Sequence, residues 1–288
     1  MREYHPHRPS LPGRLLLLLP FAKKSHARYH RKTLSVVHNT VPLPSALCEL
    51  DGLKAVYCSD IHYGLFLDLQ RLHELVEQIN SLKSDLIILG GDYGEDGPTS
   101  LTALTHLKAL TAPLGVYGCA GNHDRADISE EVLYRTLSEN GIMPLINSGT
   151  VLHIRDKKLG LCAVDDVICG TPDYAAAFSS CLEADGIIFL PHSPDALPDA
   201  FRYSEKPPFF LALCGHTHGG QINPFGLHIR TGSHLSRSFG LRHLAGQFNE
   251  NGVECIISRG VGYTGLPLRL HAKPELHLIT FQQSEANR

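Results

Sequence analysis

The most informative stretch of the chain is VYGCAGNHD, residues 116–124. Its first half is apolar and short enough for a buried strand, and glycine and asparagine then end the strand in a tight loop. Open α/β sheets place their chemistry in the loops at the carboxyl ends of their strands. An amide, an imidazole and a carboxylate follow one another here, as Asn122, His123 and Asp124. An isolated match would indicate only an asparagine-capped turn, so the interpretation depends on whether the pattern recurs.

Four further apolar runs lead into polar residues of the types that bind metals. The polar residues are Asp60-Ile61-His62 after residues 53–59, Gly90-Gly91-Asp92 after 86–89, Pro191-His192 after 186–190, and GHTHGGQ at 215–221 after 209–213. Residues two apart on a strand share a face, so Asp60 and His62 should point the same way, as should His216 and His218. This recurrence favours one shared site over five unrelated turns.

The spacing of apolar residues predicts an α/β fold. The predicted helices cover residues 68–83, 99–110 and 129–140; the predicted strands cover residues 53–59, 86–89, 116–120, 151–154, 159–164, 186–190, 209–213, 253–258 and 275–281. Strands and helices alternate up to residue 140, which predicts βαβ units and a parallel or mixed sheet. The second half begins with a hairpin and has few helices, so we expect a second sheet packed on the first.

Charge is distributed unevenly along the chain. The 288 residues carry a formal charge of −3, and 43% of them are hydrophobic and 19% charged, as in ordinary globular proteins. Residues 1–32 contain eight Arg or Lys and one acid, so they carry +7, whereas the remainder has 18 basic and 28 acidic residues and carries −10. An acidic body argues against nucleic-acid binding, and we expect no nucleic-acid partner.

The eight cysteines indicate neither a disulfide framework nor a zinc ribbon. They occur at positions 48, 58, 119, 162, 169, 181, 214 and 255, and no two of them form a C-x-x-C pair. Cys58, Cys119 and Cys214 lie in apolar, strand-like runs, where cysteine behaves as a small hydrophobic residue. We therefore expect reduced, mostly buried thiols in a reducing compartment.

The amino-terminal arm, residues 1–32, admits two interpretations. The five leucines at 15–19 are far fewer than the ~20 apolar residues that span a bilayer. Basic residues follow them in place of a signal-peptide cleavage site. The arm is either a floppy basic tail or a surface anchor, with the leucines inserted and the basic side chains on anionic headgroups. We expect a cytoplasmic protein, which the anchor would hold at the inner face of the membrane.

The loop residues supply a ligand set for two metal ions. The seven candidate ligands are Asp60, His62, Asp92, Asn122, His192, His216 and His218. Carboxylate, amide and imidazole donors together suit Mn, Fe, Zn or Co rather than calcium or copper. Seven donors are too many for one ion with an open position, but they suit two ions ~3.5–4 Å apart that share a carboxylate. Asp92 is the candidate bridge, because it is the lone acid on the central strand.

The charge of such a site indicates its substrate. Two divalent ions, two aspartates and a bridging hydroxide leave about +1, which favours a phosphoryl anion over a neutral ester or peptide. Because bound metals lower the pKa of water to ~7, the hydroxide can act as a nucleophile near neutral pH. The sequence contains neither the G-x-S-x-G motif of acyl hydrolases nor a Walker A motif.

In order along the chain, the loop motifs resemble the signature blocks of the calcineurin-like metallophosphoesterases. The blocks are Asp60-x-His62, Gly91-Asp92, Gly121-Asn122-His123-Asp124, His192 and Gly215-His216-x-His218, and the match covers about residues 50–282. The resemblance implies a four-layer α/β/β/α sandwich of two mixed sheets. We accordingly divide the chain into an arm and lead-in at 1–49, a metallophosphoesterase domain at 50–282 and a tail at 283–288.

The resemblance also implies roles for individual residues. Asp60, His62 and His218 would hold one metal. Asn122, His192 and His216 would hold the other, with Asp92 as the bridge. His123 would not be a ligand but would stabilise the phosphoryl oxygens or protonate the leaving group. Many members have Asp three residues after the bridging Asp, where it orients this histidine; Glu95 stands there in this chain and would do so with looser placement.

Three further stretches resemble the small bacterial YkuE-like branch of the family, which includes UDP-2,3-diacylglucosamine diphosphatases of lipid A synthesis. They are VDDVICGTPD at 164–173, PHSPD at 191–195 and RGVGYTGLPLR at 259–269. Together with the basic arm, this resemblance implies a lipid-linked or cell-envelope pyrophosphate as the substrate. Arg259 and Arg269 are the candidates for binding its phosphates.

These observations predict a dinuclear, metal-dependent hydrolase of a phosphodiester or pyrophosphate, with Mn, Zn or Fe as cofactors. In this scheme a metal-bridging hydroxide attacks phosphorus in line and His123 assists departure. The alternative enzyme is a soluble, broad phosphodiesterase that also accepts cyclic nucleotides. The non-enzyme alternative is a scaffold on a decayed phosphoesterase fold, which predicts missing ligands, whereas all seven are present in the sequence.

Overall fold

The computed structural model describes residue 30 and residues 33–203, 208–222 and 243–283. Apart from His30, the basic arm at 1–32 lies outside the described residues, as do tail residues 284–288. The strands are β1 (Ser35–Leu43), β2 (Lys54–Cys58), β3 (Leu86–Leu89), β4 (Val116–Gly118), β5 (Met143–Pro144), β6 (Ser148–Ile154), β7 (Lys157–Ala163), β8 (Gly186–Phe189), β9 (Leu211–Cys214), β10 (Gly246–Glu250), β11 (Val253–Ile257) and β12 (Glu275–Gln283). The α-helices are α1 (Leu69–Ser81), α2 (Gly97–Leu107), α3 (Asn122–Asp127), α4 (Glu130–Glu139), α5 (Tyr174–Ser179) and α6 (Leu197–Arg202).

The first sheet has six strands in the order β1-β12-β2-β3-β4-β5. All neighbouring strands are parallel except β12 and β2, which are antiparallel. The edge strand β1 pairs with β12 over nine residues, from Ser35 opposite Glu275 to Leu43 opposite Gln283. This strand precedes residue 50, where the sequence predicts the start of the domain.

Within the described part of the chain, the second sheet also has six strands, in the order β10-β11-β9-β8-β7-β6. Its three central pairs are parallel, while the hairpins β6–β7 and β10–β11 are antiparallel. The hairpin predicted between the strands at 151–154 and 159–164 is therefore confirmed. Residues 159–163 of β7 and residues 187–189 of β8 are buried, which is why these stretches lack charged side chains and strict alternation.

Three apolar layers hold the two sheets and their helices together. Between the sheets, residues such as Tyr57 and Ile88 of the first sheet pack with Ile188 and Leu213 of the second. Helices α1, α2 and α4 cover the outer face of the first sheet, and α5 and α6 cover that of the second. The α/β fold with four layers, α/β/β/α, is thus confirmed. No helix among the described residues is both long and apolar enough to cross a bilayer.

Local sequence sets where the helices begin. Asp68 caps α1 by accepting the N–H of Arg71 at 3.2 Å. Helix α2 begins at Gly97 rather than at Thr99, because Asp96 is its cap and accepts the N–H of Thr99 at 3.0 Å. Proline at position 98 fits the first turn, where no N–H is needed.

Candidate metal centre

The ligand-bearing loops leave their strands through left-handed turns at the same edge of the two sheets. Five of the candidate ligands have positive φ: Asp60 at 54°, His62 at 47°, Asp92 at 54°, His216 at 67° and His218 at 51°. Non-glycine residues rarely adopt this conformation, and it is concentrated at functional sites, where surrounding contacts maintain it. The strain therefore marks these loops as a built site rather than ordinary turns.

Two glycines allow the loops to approach one another. A Cβ atom on Gly121 would collide with the carboxylate of Asp92, and one on Gly215 would collide with Ser59 and the carboxylate of Asp60. A main-chain hydrogen bond also joins the loops after β2 and β3, because the N–H of Asp60 donates to the main-chain oxygen of Gly91 at 3.0 Å. The loops that follow β2, β3, β4 and β9 therefore converge on one volume.

Asp60, His62 and His218 form the first ligand group. Nε2 of His62 and Nε2 of His218 face each other at 3.0 Å, and Nε2 of His218 lies 3.5 Å from Oδ1 of Asp60. Two imidazole nitrogens and a carboxylate oxygen that converge in this way match the donor set of a first-row divalent cation. The carboxylate of Asp60 is fixed by the hydroxyl of Ser59 and by the N–H of His216, which is 2.9 Å from Oδ1.

Asn122, His192 and His216 form the second group. Oδ1 of Asn122 lies 3.2 Å from Nε2 of His192 and 2.8 Å from Nδ1 of His216. Nδ1 of His192 donates to the main-chain oxygen of Gly90 at 2.6 Å, which leaves Nε2 as the nitrogen directed into the site. This orientation matches that of a metal-binding histidine.

Asp92 lies between the two groups. Its Oδ2 is 3.5 Å from Nε2 of His62 in the first group and 3.3 Å from Nε2 of His192 in the second. Its Oδ1 accepts the main-chain N–H of His123 at 2.9 Å, which fixes the carboxylate plane. One carboxylate oxygen directed at both groups is the arrangement that a shared ligand requires. The structure therefore brings all seven candidate ligands together.

Burial and charge act strongly on the ionisable groups of the centre. Burial, followed by the charge of His123, lowers the pKa of His62 to about 3. Burial alone would raise the pKa of Asp92, but His192 and His123 outweigh it and hold that pKa well below its usual range. Burial raises the pKa of Asp60. Burial alone would lower the pKa of His192, but the charge of Asp92 outweighs it and raises that pKa well above its usual range.

The donors present fit a pair of divalent cations. His62, Asp92 and His123 form a third close group beside the Asp60 and His192 groups, and the ligand atoms within each group lie within 4.8 Å of one another. The oxygen and imidazole mixture, with no thiolate among these groups, suits Mn, Fe or Zn. All members of these groups are buried except His216, which is partly exposed.

His123 is held by the main chain of Glu95. Nδ1 of His123 lies 2.8 Å from the main-chain oxygen of Glu95, whereas the Glu95 carboxylate accepts the N–H groups of Leu65 at 2.8 Å and Phe66 at 3.4 Å. The sequence suggested that this carboxylate orients the histidine. In the structure the main-chain oxygen of Glu95 contacts Nδ1 of the ring.

The two candidate phosphate-binding arginines have different environments. Arg269 is 2% exposed and donates to the main-chain oxygens of Gly262 and Ala272, so it lies beneath the loops. Arg259 is half-buried and forms an ion pair with Glu275 at 2.5 Å. Its stem packs against Gly219 in the GHTHGGQ loop, so it lies at the border of the centre.

Three buried residues near the centre were given no role from the sequence. Asp124 accepts main-chain N–H groups from two loops, including that of Asp92 at 2.7 Å. Asp165 receives two hydrogen bonds from Arg125, at 2.8 and 3.1 Å, and so ties the loop after β7 to α3. Asp166 is buried beside it, and Oδ2 has no hydrogen-bond partner among the described residues. All three carboxylates lie in motifs noted in the sequence, but only tertiary contacts show what they do.

Comparison with known proteins places the chain among metallophosphoesterases. The pattern described as calcineurin-like phosphoesterase matches residues 53–220. The uncharacterized metallophosphoesterase YkuE of Bacillus subtilis (strain 168) is 32% identical over 239 residues, covering 81% of this chain and 80% of YkuE. Phosphodiesterase YaeI of Escherichia coli (strain K12) is 30% identical over 233 residues, covering 78% of this chain and 81% of YaeI.

A longer relative and a solved structure are more distant. A Danio rerio protein described as a transmembrane protein with metallophosphoesterase domain is 27% identical over 261 residues, which is 86% of this chain but 57% of that protein. A dimetal phosphatase from Danio rerio of known structure is 12% identical, with a TM-score of 0.41 over 73% of this chain and 88% of that one. From the family pattern over more than half of its length, and from relatives at 30% identity or more across about four fifths of it, the chain belongs to the calcineurin-like phosphoesterase family of metal-dependent phosphoester hydrolases.

Proposed function

We propose that this protein uses two divalent cations, Mn, Zn or Fe, to hydrolyse a phosphodiester or pyrophosphate bond. The position of Asp92 carries the proposal, because one of its oxygens faces a histidine of each ligand group, at 3.5 and 3.3 Å. Asp60, His62 and His218 would hold one cation. Asn122, His192 and His216 would hold the other, with Asp92 shared.

The bound cations would supply Lewis acidity and activate water at neutral pH. The residues of the chain contribute through the positions in which they are held. Asp92, fixed through Oδ1 by the N–H of His123, sets the spacing between the two ligand groups. His123 is held through Nδ1, so Nε2 is the nitrogen from which a proton can pass to a departing oxygen.

Two observations support a phosphodiester or pyrophosphate carried by a lipid. The relative YaeI is named a phosphodiesterase, and the relative from Danio rerio is named a transmembrane protein. In this chain, Leu268 and Leu270 are 51% and 41% exposed on the loop that Gln221 ties to the GHTHGGQ motif, next to the centre. A substrate with a lipid tail and a phosphate group would suit these exposed leucines, the basic arm at residues 1–32 and the half-buried Arg259.

Replacement of Asp92 tests the two-cation centre. In Asp92→Asn, we expect metal analysis after Mn²⁺ loading to fall from two ions per chain to one or none, and turnover of bis-p-nitrophenyl phosphate to fall by ~10³-fold or more. Asp156→Asn, in the exposed turn between β6 and β7, is the matched control. Unchanged metal content together with unchanged turnover in Asp92→Asn would rule the proposal out.

A comparison of substrates then separates the alternatives. We expect faster hydrolysis of a UDP-sugar lipid in vesicles than of bis-p-nitrophenyl phosphate or a cyclic nucleotide, and sedimentation of the full chain with anionic liposomes that is lost without residues 1–32. Hydrolysis of only the soluble diesters, with no sedimentation, would favour the broad phosphodiesterase. Two bound ions with no turnover of any ester would favour the scaffold.

A further inference from the structure

Arg269 is a buried cation at the base of the metal centre. Its side chain is 2% exposed, so removing the guanidinium from water carries a cost that its hydrogen bonds must offset. Nε and Nη2 donate to the main-chain oxygen of Gly262 at 2.9 and 2.5 Å. Nη1 donates to the main-chain oxygens of Arg259 at 2.6 Å and Ala272 at 3.1 Å. The loop at 259–272 is therefore folded around this side chain.

That loop is attached to the turn that carries two of the candidate ligands. The N–H of Val261 donates to the main-chain oxygen of Ser59 at 3.1 Å, and the N–H of Gly262 donates to that of Asp60 at 2.7 Å. Gly262 thus contacts Arg269 through its oxygen and Asp60 through its nitrogen. A displacement of the guanidinium would be passed to the main chain of Asp60 through a single residue.

The same guanidinium also contacts His218. Its Nη2 lies 2.9 Å from Nδ1 of His218, so the guanidinium packs directly against the ring and limits how far the ring can turn. The other ring nitrogen, Nε2, lies 3.0 Å from Nε2 of His62. In the second ligand group, by contrast, His192 takes its orientation from the main-chain oxygen of Gly90.

We propose that Arg269 is a positioning residue for one cation of the pair, the one held by Asp60, His62 and His218, and that it acts without touching the substrate. The inference rests on the proposed two-cation centre. It replaces the expectation from sequence that Arg269 binds phosphate. Outer partners of metal ligands typically change metal affinity by ~10–100-fold when they are removed.

The direction in which metal affinity changes distinguishes a positioning role of Arg269 from a purely electrostatic one. A guanidinium repels a nearby cation, so a neutral residue at position 269 would tighten metal binding if charge were its only contribution. If the guanidinium holds the ligands in place, the same substitution weakens binding although a repulsive charge has been removed. Lysine keeps the charge but lacks the planar set of donors, so lysine should not restore binding.

The experiment uses the full chain, stripped of metal and titrated with Mn²⁺. Isothermal calorimetry gives the two affinities, and electron paramagnetic resonance distinguishes a coupled Mn²⁺ pair from a single ion. In Arg269→Met and Arg269→Lys we expect one ion to bind at least ~10-fold more weakly, with the other unchanged, and a single-ion spectrum like that of His218→Ala. Arg71→Met, which also removes a buried arginine, should keep both ions and the coupled spectrum.

The outcomes separate this inference from the proposed function. Wild-type protein that binds fewer than two Mn²⁺ ions would overturn the two-cation centre and this inference with it. Two ions in wild type and two in both Arg269 variants, at equal or tighter affinity, would overturn this inference alone. Circular dichroism of the metal-free variants checks that each has folded, and Arg269→Lys decides the matter if Arg269→Met does not fold.

Discussion

The carboxylate of Asp124 accepts the main-chain N–H group of Asp92 at 2.7 Å, and so joins two of the loops that carry the metal ligands. The same carboxylate accepts the N–H groups of Tyr93 at 3.0 Å and Gly121 at 2.9 Å, and the hydroxyl of Ser100 at 2.6 Å. Four donors converge on one fully buried side chain. Asp124 therefore fixes the left-handed turn at Asp92 from outside the ligand set.

Replacement of Asp124 should damage stability and metal binding together. In the wild-type protein, a carboxylate oxygen of Asp124 accepts hydrogen bonds from these donors. In Asp124→Asn, the NH2 group of the amide would face one or more of the same donors, so we expect a loss of about 2–4 kcal/mol in the free energy of unfolding. We also expect Mn²⁺ binding to weaken. Urea unfolding in chelator and metal titration measure the two effects. Asp127→Asn, exposed at the end of the same helix, is the control. Full metal affinity in Asp124→Asn would contradict this account.

His123 should be separable from the metal ligands. It is 5% exposed, is held at Nδ1 by Glu95, and is assigned to the leaving group rather than to a cation. In His123→Asn we expect two Mn²⁺ ions per chain and a turnover reduced by ~10²–10⁴-fold, the usual contribution of a general acid. Metal analysis and steady-state kinetics give both quantities. His153→Asn, on an exposed part of β6, should change neither. Loss of one ion from His123→Asn would instead make this residue a ligand.

Glu95 provides a direct comparison between the role inferred from sequence and the one seen in the structure. The main-chain oxygen that holds His123 is still present after any substitution at position 95. We therefore expect Glu95→Gln to change turnover by less than the ~10–100-fold typical of a lost outer partner. Glu95→Ala should lower the free energy of unfolding by about 1 kcal/mol, because the N–H groups of Leu65 and Phe66 lose their acceptor. A fall in turnover as large as that of His123→Asn would restore the carboxylate role.

His30 should make stability depend on pH. Its ring packs against Tyr263 and its Nε2 donates to the main-chain oxygen of Val261 at 3.2 Å. Burial lowers the pKa of His30 from 6.5 to about 4, and the charges of Arg71 and Arg269 act in the same direction.

The unfolded chain therefore binds a proton at His30 at a higher pH than the folded chain does. The neutral ring's contribution is fully present above about pH 6.5 and is lost as pH falls toward 4, a change of about 3 kcal/mol. The free energy of unfolding of wild type minus that of His30→Phe should therefore decrease as the pH falls from 6.5 to 4. Denaturant unfolding of metal-free protein at a series of pH values measures it. A difference that does not vary with pH would contradict the burial of a neutral His30.

Local patterns in the sequence were sufficient for most of the fold. The run LIIL at 86–89 predicts a buried strand because it is β-branched and too short for a helix, and it is β3 in the structure. The cap at Asp68 and the hairpin near residue 156 follow from equally local chemistry. Strand β1 was not predicted, because its pairing with β12 joins residues about 240 positions apart and its own apolar pattern is weak.

Short-range patterns in the sequence were enough to predict the class of fold and the seven candidate ligands, because buried strands, tight turns and metal-binding side chains each leave such a pattern. Which residues support those ligands follows only from tertiary contacts. In the sequence, nothing distinguishes Arg269 from an arginine on the protein surface. Only the folding of the 259–272 loop around its side chain shows that it lies beneath the site. The same holds for Asp124 and for the main-chain oxygen of Glu95. Burial and hydrogen-bond partners arise from segments distant in sequence, so no local pattern could encode them.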